Sequence, residues 1–178
     1  MRPGGGRTKG HAFEKKVARE VSIWWTGEKS AFWRNLGSGG PARSMPTKGL
    51  HPGDIVPVKE LRLPFLACIE CKKTESWSWD ELIRIGKRAD VMQYWRQCVS
   101  ERAELDPWLV FAKNRSAPLI MLSSKRWYAT LRQNDFTIFA IRGAFNSSFY
   151  DSVVVSWKLF RDKFKPVDIN SVIKNNVL

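Results

Sequence analysis

The run His51-Pro52-Gly53-Asp54 is followed along the chain by Cys68-Ile69-Glu70-Cys71-Lys72-Lys73. Side chains alternate between the faces of an extended strand, so Glu70 and Lys72 project from one side and Cys71 from the other. Burying an unpaired carboxylate or ammonium is costly, which makes an acid and a base at the end of one strand an odd choice for packing alone. Asp54 opens the preceding β-leaning run and can reach the same point. Two hard carboxylate oxygens, completed by waters and a phosphate oxygen, suit Mg2+ or Mn2+. An ion so held polarises a phosphoryl oxygen and makes hydroxide available near neutral pH. The Lys72 ammonium would then orient the attacking water and stabilise charge on the pentacovalent phosphorus. The chemistry implied is in-line hydrolysis of a phosphodiester.

These residues need elements to hold them. Asp54 to Val58 and Leu63 to Lys73 read as a hairpin separated by the charged run Lys59-Glu60-Leu61-Arg62, with Pro57 marking the first strand as an edge or locally irregular one. Upstream, Phe13, Val17, Val21 and Trp24 recur at helical spacing from His11 to about Trp25, with Glu14 in the first turns. A short strand is expected at Ala31-Phe32-Trp33. Residues 36–53, dense in Gly, Pro and Ser, form a loop carrying Ser38, Arg43 and Lys48. Downstream, Asp80 is the expected N-cap of a long helix reaching about Ala103 and carrying Lys87, Arg88, Gln93 and Arg96. Trp108 to Lys113 and Pro118 to Ser123 follow as strands, while 127–131, 136–141 and 152–160 are compatible with strand or helix. The fold class is α/β (α+β), a central mixed β-sheet flanked by helices. Its divisions are a flexible basic arm over residues 1–10 with Arg7 and Lys9, a core over 11–124, and a C-terminal extension over 125–178 packed on the same domain.

Charge narrows the partner. Thirty Lys and Arg against seventeen Asp and Glu give a net charge of +13, which favours a polyanion held by phosphate neutralisation. The cations build no amphipathic helix with a bulky apolar face, so nucleic acid is preferred to a membrane. Lys73, Lys87, Arg88 and Arg96 join Arg7, Lys9, Arg43 and Lys48 as candidate phosphate contacts, although singly each is an ordinary solvated cation. The glycines near Ser38 lack the lysine-serine ending of a P-loop, so no nucleotide cofactor is expected. The opening residues are polar and basic rather than signal-like, and three cysteines suggest reduced thiols, which together read as intracellular and cytoplasmic. Cys68 and Cys71 have no second pair and no suitably spaced histidine to complete a zinc site. The nine tryptophans, Trp77 and Trp79 included, suit core or dimer packing better than base stacking.

Glu14 on an early helix, Asp54 after Pro52-Gly53, and Glu70-x-Lys72 resemble the PD-(D/E)XK nuclease superfamily. Within it, the order over residues 9–124 is similar to that of archaeal-type and phage Holliday junction resolvases. The resemblance implies a restriction-endonuclease-like fold and a homodimer that nicks opposing strands of a branched, four-way DNA junction, with a virus-encoded source. It also implies a metal-holding role for Glu14 beside Asp54 and Glu70, and a catalytic role for the loop residue Ser38. Gly53, between Pro52 and Asp54, departs from the usual Pro-Asp pair. Two other readings stay open: a restriction or repair nuclease acting on linear duplex, and a basic DNA-binding protein without catalysis. For Asp54 alone the plain alternative is a turn residue, and for Glu14 an exposed acid complementing a helix dipole.

Overall fold

The computed structural model describes residues 5–35, 52–85, 89–141 and 151–175. Ser38, Arg43, Lys48, Lys87 and Arg88 lie outside the described residues, as does the side chain of Arg7. Helix α1 runs over Gly5–Thr26, so the helix starts six residues before His11 and takes in residues 5–10 of the stretch expected as an arm. Phe13, Val17 and Val21 are buried on the stripe that their spacing defines, and burial of that stripe is what stabilises a helix of this kind.

Seven strands form one mixed sheet in the order β1-β2-β3-β4-β5-β7-β6. They are β1 (Phe32–Arg34), β2 (Ile55–Pro57), β3 (Ala67–Lys73), β4 (Asp106–Ala112), β5 (Leu119–Ser123), β6 (Phe139–Ile141) and β7 (Ser152–Ser156). β3 and β4 are parallel and in register from Ala67 opposite Asp106 to Lys73 opposite Ala112. Every other neighbouring pair is antiparallel. β3 and β4 read as apolar runs because helices cover both faces of this central pair, as parallel strands require.

The parallel pair needs a crossover, and α2 (Trp79–Ile85) with α3 (Asp90–Glu101) provides it. One long helix was expected here, and the chain makes two. The capping residue also differs: the Ser78 hydroxyl accepts the Glu81 N–H at 3.0 Å, so Ser78 does the work assigned to Asp80, which sits inside the first turn. Trp77, Leu82, Met92, Trp95, Leu109, Phe111 and Met121 pack together on this face. The opposite face holds α1, α4 (Ser124–Gln133), α5 (Trp157–Lys163) and α6 (Pro166–Asn175), whose Trp127, Trp157, Phe160 and Ile169 join Ile69, Trp108, Val110 and Val155.

The C-terminal segments resolve their own ambiguity. Residues 127–131 are helical, 139–141 are strand, and the run 152–160 changes from strand to helix at Ser156, whose hydroxyl caps Leu159 N–H at 3.3 Å. β7 pairs with β5 along five residues, so this part of the chain extends the same sheet. Pro57 is not on an outer edge, since β2 lies between β1 and β3. Its strand is nevertheless short, meeting β3 only at Ile55 opposite Ile69.

Candidate active site

That single point of pairing is where the site begins. Beyond Ile55 the ladder between β2 and β3 is continued by a side chain: Asp54 N–H donates to Ile69 O at 2.7 Å, and Asp54 Oδ2 accepts the Cys71 N–H at 2.9 Å. The Asp54 carboxylate is thereby fixed beside the far half of β3 and is buried, at 4% exposure. Gly53 makes the approach feasible. Its φ is +93°, and a Cβ there would lie 2.7 Å from Ile69 O and 3.0 Å from Cys68 Sγ, so the residue between Pro52 and Asp54 has to be glycine.

β1 pins the same turn from its other side. Asn35 N–H donates to Asp54 O at 2.7 Å, and the Asn35 side-chain amide donates to Gly53 O at 3.0 Å. β1 is in turn latched to α1 by buried Ser22, whose hydroxyl accepts the Phe32 N–H at 2.8 Å and donates to Ala18 O at 2.9 Å. This arrangement carries Arg34 to Glu14, where Nη1 and Oε2 stand 3.3 Å apart with both side chains 14% exposed. Arg34 and Asn35 were missed in the sequence. Arg34 looks there like an ordinary cation, and only the β1–β2 register brings it inward.

Glu70 and Lys72 lie on one face of β3, as alternation requires, with Lys72 Nζ 2.5 Å from Glu70 Oε1. Cys71 belongs to the α1-side core. Lys72 also stands 5.7 Å from the ring centre of Tyr94 on α3, an attractive placement for an ammonium. Burial, then the charge of Asp54, pushes the Glu70 carboxyl up to about 7 against the pull of Lys72. Glu14 is raised by burial and by Asp54, with Arg34 opposing. Burial works against the charge on Lys72, but Glu70 and Asp54 outweigh it and hold the ammonium above its usual range. Buried Asp54 thus repels both buried Glu70 and part-buried Glu14.

The donor set suits a hard divalent cation, which would relieve that repulsion. Asp54 and Glu70 are the residues placed to hold it, each with one oxygen already fixed by the protein. Among the described residues no three His, Cys, Asp or Glu side chains close around one point as a finished metal cage, and Glu14 is tied to Arg34. The coordination that two carboxylates leave open would be filled by water and substrate phosphate. Burial pushes the Cys71 and Cys98 thiols well up, so neither is an activated nucleophile.

The remaining sequence candidates divide by position. Lys9 is exposed on α1 and Lys73 is half-buried at the end of β3. Arg96 folds back on its own helix, its Nε donating to Met92 O at 3.2 Å. Trp77 is buried, 4.9 Å from Phe111 between ring centres and edge-on, which is core packing. Trp79 is 40% exposed and packs edge-on against Trp77 and Phe139.

A mixed sheet with helices on both faces, carrying an acid at a strand-entry turn and an acid-x-lysine on the next strand, defines a restriction-endonuclease-like nuclease of the PD-(D/E)XK superfamily. The chain belongs to the family of phage putative PDDEXK endonucleases, whose model matches residues 5–171. The match runs through β7, α5 and into α6, well past residues 9–124, whose motif order carries the resemblance. No curated protein and no solved structure matches the chain. No helix among the described residues is long and apolar enough to cross a membrane.

Proposed function

We propose that this nuclease is a metal-dependent DNA endonuclease that acts at four-way junctions, as a homodimer with one site directed at each of two opposing strands. The observation that carries the catalytic part is the meeting of Asp54, Glu70 and Lys72. Asp54 is seamed to β3 through Cys71 N–H, and Lys72 is held against Glu70. When bound, Mg2+ or Mn2+ supplies Lewis acidity at the phosphoryl oxygen. Asp54 and Glu70 hold and orient that centre. Lys72, kept protonated by its acidic neighbours, donates to the attacking water and offsets charge on the phosphorus. Glu14 strengthens the local negative field, and Arg34 holds its carboxylate in place. Ser38 is assigned an assisting role by resemblance alone. The net charge of +13 supports a nucleic acid substrate, and the order of helix, aspartate strand and acid-x-lysine strand supports the junction preference.

The test is incubation with Mg2+ and end-labelled four-way junction, nicked duplex and linear duplex. Paired symmetric nicks near the branch, leaving 5′-phosphate and 3′-hydroxyl ends, are expected. Cutting of linear duplex alone would transfer the reading to a restriction or repair nuclease. Tight binding with no cleavage under any divalent ion would leave a DNA-binding protein.

A further inference from the structure

Close to the acidic site lies a second feature of opposite sign. At the carboxyl ends of β3 and β4, a cleft of about 560 Å3 opens between Lys9, Lys73, Glu75, Asn114 and Arg115. Its cations come from separate elements: Lys9 from α1, Lys73 from the last position of β3, and Arg115 from the turn joining β4 to β5. Lys73 follows the parity of Ile69 and Cys71, which face α1, whereas Lys72 points the other way. Among the described residues no carboxylate pairs with Lys9, Lys73 or Arg115. The one acid lining the cleft, Glu75, already accepts the Asn114 N–H at 2.7 Å through Oε1.

The turn that presents Arg115 is rigid and strained. Ser116 Oγ accepts the Lys113 N–H at 3.0 Å and donates to Lys113 O at 3.1 Å. Arg115 itself sits at φ 60°, a conformation that favours glycine or asparagine. The turn thus presents exposed Arg115 to the same open cleft as Lys9 and Lys73, and the combined field of the three cations favours an anion there.

We infer that this cleft is a backbone-phosphate site, in which Lys9, Lys73 and Arg115 hold the DNA strand beside the cleaved bond and Glu75 weakens that grip. This rests on the nuclease reading for the identity of the polyanion, although the cleft is separate from the acidic residues. The experiment is binding of a fluorescein-labelled 20-base-pair duplex in Ca2+ over a range of NaCl, for the unaltered chain, K73Q/R115Q and E75Q. Thermal melting serves as the check on folding.

For K73Q/R115Q the log–log salt slope should shrink by about 1.8, the value for two lost phosphate contacts, with affinity falling at least tenfold at low salt. E75Q, which keeps the oxygen that accepts Asn114 N–H, should bind about twofold to fivefold more tightly, since it removes a like charge from the phosphate path. Single methylphosphonate linkages walked across the cleavage site should weaken the unaltered chain at the flanking positions and leave K73Q/R115Q indifferent there. A folded K73Q/R115Q protein with an unchanged slope would overturn the assignment, whatever the cleavage assay shows. A reduced slope in a chain that cuts no DNA with Mg2+ would instead retain the cleft and dismiss the nuclease reading.

Discussion

The parallel pair β3–β4 buries one carboxylate at its amino end and another midway along, where Asp54 adjoins it, and treats them in opposite ways. At the amino end, Asp106 is 1% exposed and surrounded by donors: Trp108 Nε1 at 2.8 Å, Trp127 Nε1 at 2.7 Å and Arg126 Nη1 at 2.6 Å. Further along, Glu70 is 3% exposed and Asp54 4%, yet Glu70 has only Lys72 against it, while the charge of Asp54 makes both Glu70 and Glu14 costlier to ionise. Burial raises the Asp106 carboxyl too, but every other influence on it comes from a donor or a cation that lowers it. Asp106 is saturated by its surroundings, whereas Asp54 and Glu70 are left with excess negative charge that a cation can relieve.

The largest effect expected from breaking this contrast is on chemistry. Asp54→Asn or Glu70→Gln should lower Mg2+-dependent cleavage about 1000-fold or more, equivalent to about 4 kcal/mol in the barrier. Both proteins should remain folded and bind DNA in Ca2+. Cleavage that survives both changes would dispose of the proposed centre.

Asp106→Ala should do the reverse. Removing the carboxylate orphans two buried indole N–H groups and the Arg126 guanidinium, costing about 3 kcal/mol of stability in urea titration. The surviving folded fraction should keep its cleavage rate. A loss of rate without a loss of stability would mean that both places on the strand pair serve the reaction.

The acidic site has its own signature in pH. Glu70 is raised from an ordinary 4.5 to about 7, so between those values the folded chain holds more protons than the unfolded one. Metal-free stability should therefore fall as pH rises from about 4.5 to 7 and level off above, by up to roughly 3 kcal/mol. Urea midpoints measured in EDTA would read this. Glu70→Gln should remove most of the slope, and Mg2+ should flatten it by favouring the ionised carboxylates. A stability curve that instead climbs through this window would contradict the proposed repulsion.

The smallest of these effects concerns the turn that sets the acidic site in place. Gly53→Ala should cost about 2 kcal/mol, because an alanine at φ +93° is strained and its methyl meets Ile69 O. Activity should fall more than stability, as the Asp54 carboxylate moves off the β3 seam. Equal losses would indicate that the turn matters only to folding.

How much of this was legible beforehand follows from the range of each interaction. Glu70 and Lys72 were readable because strand alternation is local, and the charge excess because it is a sum. The meaning of Gly53 was not, since a departure from Pro-Asp acquires its reason only against the backbone of Ile69. Arg34 and Asn35 reach the site through pairing with β2 across residues 36–53, a contact that no local pattern encodes. The helix break before Asp90 has no local signal, because Gly86 is tolerated within a helical pattern. Ser78 and Ser156 show the opposite case: each lies directly before a helix that its hydroxyl caps, a purely local signal of where the helix starts.

One bond has a further consequence for what variation position 54 can bear. Asp54 Oδ2 substitutes for the backbone carbonyl that β2 does not supply to Cys71 N–H. An asparagine can keep that seam only by giving its carbonyl oxygen to Cys71, which turns the amino group toward the place where a cation would bind. Alanine or serine would leave the N–H unmet and loosen the join, and glutamate is too long for the same span. Position 54 therefore has no silent neighbour in sequence space: each replacement fails either as masonry or as a ligand, and which failure occurs can be chosen in advance.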